Sequence, residues 1–292
     1  MVAIAGALVM IDGQPCAPEA ARVSVFDRGF LYGDSVFETL RTYGGQPFAL
    51  DEHIARLERS AALVGIRVPL SASELDAEVR RAVALAGFPE SYLRVMVTRG
   101  QGQRLGLDPA LAGAPLRVVI VSLLEPLPAV KYERGIAAIT YRTQRVADGT
   151  EAAGAKLGNY LVAVLASEAA RAADAEEALL LDREGGVLEG ATSNVFAVRA
   201  GRLITPPVEL GILPGITRAH VLGLAAALSL PVEERALSVG ELGELDELFI
   251  SSSIRELLPV VRVDGRAIGA GQPGPICARL LAAFREQAGA AR

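Results

Sequence analysis

Short apolar runs alternate with stretches of helical period along the whole chain, and turn residues punctuate them. Residues 7–11 read as a strand turning at Asp12-Gly13, and residues 36–43 as a second strand closed by Gly44-Gly45 in a hairpin-like turn. Residues 51–64 follow the helical period. Ile54, Leu57, Ala61 and Val64 share one face, with Asp51 near the start. A further helix is predicted over 73–86, capped by Ser71 or Ser73 and stopped at Gly87. Residues 92–98 and 116–123 have the character of core strands, separated by the Gly-rich loop RGQGQRLGLDPALAGAP, which contains Arg99 and Arg104. Residues 125–133 carry two prolines, charge and no clear period, which marks a domain boundary.

Beyond that boundary the pattern resumes with a strand at 136–141, a polar loop and a mostly apolar helix over about 156–173. Strands at 178–181 and 187–188 flank a DREGG turn, and strands at 194–198 and 202–204 flank Ala200-Gly201. Pro214-Gly215 precedes a helix over 216–228. Residues 246–250 lead into Ser251-Ser252-Ser253, residues 259–263 run to an Asp264-Gly265 turn, and a terminal helix closes the chain. The expected architecture is α/β (α+β) in two domains, 1–125 and 136–292, with 126–135 as linker.

Composition narrows the function. A chain of 292 residues, 51% hydrophobic, is long enough to bury two cores. A net charge of -5 without a dense basic block argues against nucleic acid as a partner. No apolar run approaches the roughly 18 residues that cross a bilayer, so no membrane association is expected. The N-terminal stretch MVAIAGALVMIDGQP lacks a positive leading region and is read as strand and turn, not as a signal peptide. Cys16 and Cys277 stand far apart with no paired spacing, consistent with free thiols and a cytoplasmic location. Two histidines, His53 and His220, exclude a histidine-rich metal site and leave few candidates for a Ser-His-Asp triad.

The segment GAKLGNYLVAVLASEAARAADAEEALLLDREGGVLEGATSN, residues 154–194, carries the densest chemistry. Lys156 lies among the small and apolar residues Ala153, Gly154, Ala155, Leu157 and Gly158. A confined lysine amine freed of its proton by burial or a nearby cation can form a Schiff base with pyridoxal phosphate. Glu189, entering a Gly/Ser/Asn loop, can pair with the pyridine nitrogen and keep it protonated. Taken singly, Lys156 is as readily a solvated lysine at a helix start, and Glu189 an ordinary strand-end carboxylate. In ILPGITR the N–H groups of Ile216 and Thr217, with the Thr217 hydroxyl, open a helix and can cradle a phosphate dianion. Ser252 and Ser253 offer further donors, or else only cap a loop. Arg56, on the polar side of the first long helix, has the fork that phosphate favours, although most helix arginines are solvated.

Together FDRGFLYGDSVFETLRTY, HIARL, AKLGNY, EGATSN, LPGITR and ISSSIRELLPV resemble, in order and spacing, the class IV (fold-type IV) pyridoxal-phosphate aminotransferases over nearly the whole chain. The resemblance implies a smaller N-terminal α/β domain and a larger C-terminal one, with the cofactor in the cleft between them. It implies that Lys156 forms the internal aldimine and shuttles the proton, that Glu189 meets the pyridine nitrogen, and that Tyr160 bonds to O3′. Arg56, Ile216, Thr217, Ser252 and Ser253 match the family's phosphate cup. Homodimers or higher even homo-oligomers are implied, with the segment around Tyr32 reaching a neighbouring site. On the residues alone, Tyr32 is an aromatic in a Gly-rich loop, more often packing than function.

Within that family YGDSVFETLR and SYLR resemble the branched-chain amino acid aminotransferases. The implied activity is transfer of the amino group of Leu, Ile or Val to 2-oxoglutarate. Tyr32, Phe37, Arg41, Tyr92 and Arg94 match substrate-pocket positions, and Arg104 sits in the loop that resembles the lyase's arginine- and glycine-rich loop. Ser251-Ser252-Ser253-Ile254 followed by Arg255 stands where that subgroup usually carries Gly-Thr-Ala-Ala, and ATSN looks more like the other subgroups. A 4-amino-4-deoxychorismate lyase and a D-amino acid or (R)-amine transaminase are therefore the alternatives.

Overall fold

The computed structural model of the chain describes residues 6–143 and 152–289. The first five residues of the expected N-terminal strand-and-turn stretch and residues 144–151 of the expected polar loop lie outside the described residues. The described residues form two compact units. One runs to Glu125 and takes in Ala155–Asn159; the other comprises most of Pro126–Ala288.

In the first unit, β1 (Leu8–Ile11), β2 (Gln14–Cys16), β3 (Ser35–Tyr43), β4 (Gln46–Pro47), β5 (Ser91–Thr98) and β6 (Leu116–Leu123) form an antiparallel sheet ordered β2-β1-β6-β5-β3-β4. A short helix, α1 (Arg28–Tyr32), precedes β3; α2 (Leu50–Leu63) and α3 (Ala72–Ala86) follow β4. Val36 and Leu40 of β3 alternate with Phe37 and point to the opposite face, where they join Ile54, Leu57, Leu75 and Val79 of α2 and α3 in one buried cluster. Ser71 caps α3 in a reciprocal box with Glu74, and Gly87 ends it in the left-handed region at φ 66°.

The second unit opens with α4 (Ala129–Arg134) and β7 (Ile136–Arg142), then α5 (Leu161–Ala172), β8 (Glu177–Leu181), β9 (Gly186–Gly190), β10 (Asn194–Arg199) and β11 (Arg202–Thr205). It continues with α6 (Ile216–Ala227), β12 (Val232–Glu234), β13 (Leu237–Ser238), β14 (Glu247–Ser252), β15 (Glu256–Val263), β16 (Arg266–Ala267) and α7 (Pro275–Ala288). The sheet runs β12-β11-β10-β14-β15-β7-β8-β9-β13, with β16 on β15. Its central strands are buried nearly end to end, as β8 and β10 show, so they read as continuous apolar runs.

Three expectations change. The helix expected from about residue 156 begins at Leu161, because the preceding backbone is committed elsewhere. Phe37 N–H donates to the Lys156 carbonyl at 3.1 Å, and Gly158 N–H to the Ser35 carbonyl at 2.8 Å, so this segment pairs with β3. That pairing groups residues 155–159 with the first unit, although they fall within the expected 136–292 domain. Second, the expected linker contains α4, whose Tyr132 packs against the second unit's core. Third, Arg56 does not lie on a solvated face: it is buried, at 3% exposure.

Candidate active site

Strand alternation sorts the first unit's polar side chains onto two faces. Register places Thr39 opposite Arg94 and Arg41 opposite Tyr92, so Phe37, Arg41, Tyr92 and Arg94 share the face away from α2. The Arg94 guanidinium lies 3.9 Å from the centre of the buried Phe37 ring. Lys156 Nζ lies 4.7 Å from the same ring. Two cations over one aromatic ring form a cation–π group around Phe37. Lys156 is further fixed through its backbone, its N–H donating to Ser60 Oγ of α2 at 3.1 Å. Arg41 stacks over Tyr43 at 4.2 Å and donates to the Thr42 carbonyl.

On the other face, β3 turns Glu38 toward α2. Glu38 is 1% exposed and His53 likewise. Arg56 Nε and Nη2 donate to the two Glu38 oxygens at 2.7 and 2.6 Å, and His53 Nδ1 lies 2.7 Å from Oε2. Burial opposes ionisation of Glu38, but the hydrogen bonds from Arg56 and His53 outweigh it and hold its pKa down at about 2. Burial also lowers the pKa of His53, against the pull of Glu38. A carboxylate can only accept, so the neutral His53 carries its proton on Nδ1. His53, Arg56 and Ser60 recur at helical spacing on one stripe of α2; that stripe therefore orients the Arg56 guanidinium and anchors the Lys156 segment.

The Gly-rich loop is held by arginines with internal duties. Arg99 donates to Asp34 and to the Val64 and Gly65 carbonyls, all within 2.8 Å. Arg28, 3% exposed, meets Asp34 and the carbonyls of Gly106 and Leu107 at 2.9 Å. The two guanidiniums hold the Asp34 carboxyl below its ordinary pKa despite partial burial. Tyr32 ends α1, not a loop, and its hydroxyl accepts from Gly106 N–H at 3.2 Å. Arg104 is exposed.

In the second unit Glu189 is 8% exposed at the end of β9 and accepts from Leu213 N–H at 3.1 Å. That links it to the turn opening α6, whose N-cap Gly215 supplies no side-chain bond. The first N–H groups of α6, on Ile216 and Thr217, are the donors such a helix start presents to an anion. Asn194 Nδ2 donates to the Leu213 carbonyl at 2.9 Å, and its Oδ1 stands 1.9 Å from where a Cβ on Gly215 would lie. Only glycine fits there. Ser251, opposite Asn194 in the β10–β14 register and 1% exposed, has a hydroxyl with no hydrogen-bond partner among the described residues. An orphaned buried hydroxyl on the residue paired in register with Asn194, whose amide holds the turn opening α6, suits a phosphate, and a buried carboxylate suits a protonated ring nitrogen. The donor set therefore fits the group that the motifs imply. Ser252 and Ser253 follow on the β14–β15 turn, half-buried, and Tyr160 sits half-buried at the head of α5.

Sequence reasoning passed over Glu38, His53, Ser60 and Asp34. FETLR and HIARL held the signal for the first two: an acid on the apolar phase of a strand, between Val36 and Leu40, and a histidine three residues before an arginine on a helix. Only the register brings them together.

The amino-transferase class IV family profile matches residues 35–263. A Methanocaldococcus jannaschii protein assigned as a branched-chain-amino-acid aminotransferase is 41% identical over 278 residues, 95% of each chain. The D-alanine aminotransferase of Bacillus licheniformis is 36% identical over 279 residues, again 95% of each. The solved branched-chain amino acid aminotransferase of Escherichia coli superposes with a TM-score of 0.90 at 33% identity, covering 96% of this chain and 93% of that one. A T.th. branched-chain amino acid aminotransferase solved with pyridoxamine 5'-phosphate gives 0.91 at 32% identity, with the same two coverages. With this fold and this match over most of its length, the chain belongs to the class IV aminotransferases and is a transaminase of the fold-type IV architecture.

Proposed function

We propose that the chain is a pyridoxal-phosphate-dependent transaminase that moves the amino group of a branched-chain L-amino acid to 2-oxoglutarate. The observation that carries the substrate reading is the sheet face shared by Phe37, Tyr92 and Arg94, with Lys156 Nζ over the same Phe37 ring. An aromatic wall accepts a branched aliphatic side chain, and an arginine at its edge meets the distal carboxylate of the acceptor. The branched-chain relatives support the same reading.

Roles are proposed residue by residue. Lys156 would attach the cofactor covalently, and its amine, when free, would carry the proton taken from the substrate Cα. Bound pyridoxal phosphate supplies an electron sink for the carbanion. Glu189 would hold the ring nitrogen protonated, and Tyr160 would donate to O3′. Arg56, Ile216, Thr217, Ser252 and Ser253 hold the phosphate, with Glu38 fixing the plane of the Arg56 fork. The assembly proposed is a homodimer or higher even homo-oligomer. Leu161, Val162, Val164 and Leu165 leave an apolar strip of α5 exposed that a second copy would cover. Sedimentation as a monomer at working concentrations would overturn that.

A second reading, transamination of D-amino acids, is favoured by the Bacillus licheniformis relative and by the serine run at 251–253. The deciding experiment is the single-turnover absorbance change of the cofactor-loaded enzyme on adding L-leucine, D-alanine or 4-amino-4-deoxychorismate. A fast change with L-leucine, reversed by 2-oxoglutarate, is expected. Silence with L-leucine overturns the branched-chain reading; conversion of D-alanine establishes the second, and release of pyruvate and 4-aminobenzoate from the third compound establishes a lyase.

A further inference from the structure

Glu177, the first residue of β8, is 3% exposed and belongs to no role described so far. Its carboxylate accepts from Ala191 N–H at 3.1 Å, Ser193 Oγ at 2.8 Å and Arg255 Nη2 at 2.6 Å. The same Arg255 nitrogen donates to Thr192 Oγ1 at 2.9 Å. Three consecutive residues of the turn after Glu189 are thus tied to one ion pair. The glycine in EGATSN follows from it: a Cβ on Gly190 would lie 2.2 Å from Ser193 Oγ and 3.0 Å from Glu177. This position is glycine to make room for the carboxylate and hydroxyl.

Arg255 reaches the pair from the tight turn joining β14 to β15, which carries Ser252 and Ser253. That turn is fixed from several sides. Arg255 N–H donates to Ser252 Oγ at 3.2 Å, and the Arg255 carbonyl accepts from the Tyr132 hydroxyl at 3.2 Å. Glu256 adopts φ 55°, a left-handed conformation that a side-chain-bearing residue rarely takes. Its buried carboxylate is held by Arg285 of α7 at 2.8 Å, and Arg285 stacks on Tyr132 at 4.7 Å. Backbone held in an unfavourable conformation by surrounding contacts is a mark of a segment whose geometry matters.

We propose that the Glu177–Arg255 ion pair is a positioning device that locks the turn after Glu189 to the turn carrying Ser252 and Ser253, setting how both meet the cofactor. This rests on the roles of Glu189, Ser252 and Ser253 proposed above. Arg255 acts through the two turns and not as an anion receptor, because its charge is committed to a buried carboxylate.

The test compares wild-type holoenzyme with R255M, R255K, E177Q and the double variant E177Q/R255M. Four quantities are read: the pyridoxal phosphate dissociation constant, the pH midpoint of the bound cofactor's absorbance, the KM for the 2-oxo acid, and the melting temperature of the apoprotein. R255M and E177Q are each expected to weaken cofactor binding about tenfold and to displace the absorbance midpoint, with R255K restoring much of both and the double variant no worse than either single. Wild-type affinity and midpoint in both R255M and E177Q would overturn the proposal. So would a higher KM for the 2-oxo acid with cofactor binding unchanged, which would make Arg255 a direct substrate contact. Should E177Q not fold, R255M alters only the partly exposed partner and decides by itself. A wild-type protein that binds no pyridoxal phosphate would instead remove the cofactor reading on which the proposal stands.

Discussion

The first unit meets its most buried carboxylate with side chains; the second meets Glu177, Glu189 and Glu247 largely with backbone, and Glu256 with the Arg285 side chain. Glu38 is held by Arg56 and His53. Glu189 takes Leu213 N–H, Glu247 takes the N–H groups of Ile276 and Cys277 at the start of α7, and Glu177 takes two amides besides Ser193 and Arg255. The difference has a consequence for sensitivity. A side-chain cluster strands its partners when one member is removed, whereas a backbone-held carboxylate depends on the turn keeping its path and so on small residues such as Gly190 and Gly215.

The largest expected effect lies with Lys156, which the first unit fixes through its backbone while leaving Nζ over Phe37. Lys156→Ala should lower turnover by about a thousandfold or more in single-turnover transamination. A normal rate would show that the amine has no part in the chemistry. Next comes Glu38→Ala, expected to cost about 3–5 kcal/mol in denaturant unfolding, because it removes the carboxylate whose two oxygens both bind the buried Arg56 guanidinium. A loss below about 1 kcal/mol, the value of an exposed pair, would erase the contrast between the units.

Gly215→Ala sharpens the comparison from the other side. Its Cβ would lie 1.9 Å from Asn194 Oδ1, so a loss of about 1–3 kcal/mol is expected. Gly223, within the same helix and with nothing within 4 Å of an added methyl, is the control. Gly223→Ala should stabilise by up to about 1 kcal/mol. Equal melting shifts for the two would refute the close-approach account.

The pH dependence isolates the charge of Glu38. Glu38 has a folded pKa of about 2 against an ordinary 4.5, so its contribution is complete above 4.5 and is lost as pH falls from there towards 2. His53, lowered from 6.5 by burial, has the same sign: acidification below 6.5 favours the unfolded chain, which takes up the proton more readily. The stability gap between wild type and Glu38→Gln should therefore narrow as pH drops below 4.5. A gap that stayed constant would mean that Glu38 is not ionised in the fold.

The chemistry-bearing motifs were legible because local order carries them. LPGITR spells a helix start in its proline, glycine and threonine, and α6 begins at Ile216 as that pattern requires. Ser71 and Glu74 announce the α3 cap by their spacing. AKLGNY was harder. Its apolar continuation favours helix by periodicity, yet residues 156–158 pair with β3, a partner more than a hundred residues earlier that no local window contains.

The amino-acid sequence by itself determined the family, the two-part alternation of strands and helices, and the residue types able to hold a phosphate and an imine. Those depend on period, turn chemistry and motif order, all written along the chain. Tertiary structure alone decided that Arg56 is buried against Glu38, that Arg99 is occupied by Asp34 and two carbonyls, and that Glu177 and Arg255, 78 positions apart, join two turns. The reason is physical: burial and ion pairing are set by which strands lie side by side, and register is a property of the whole sheet.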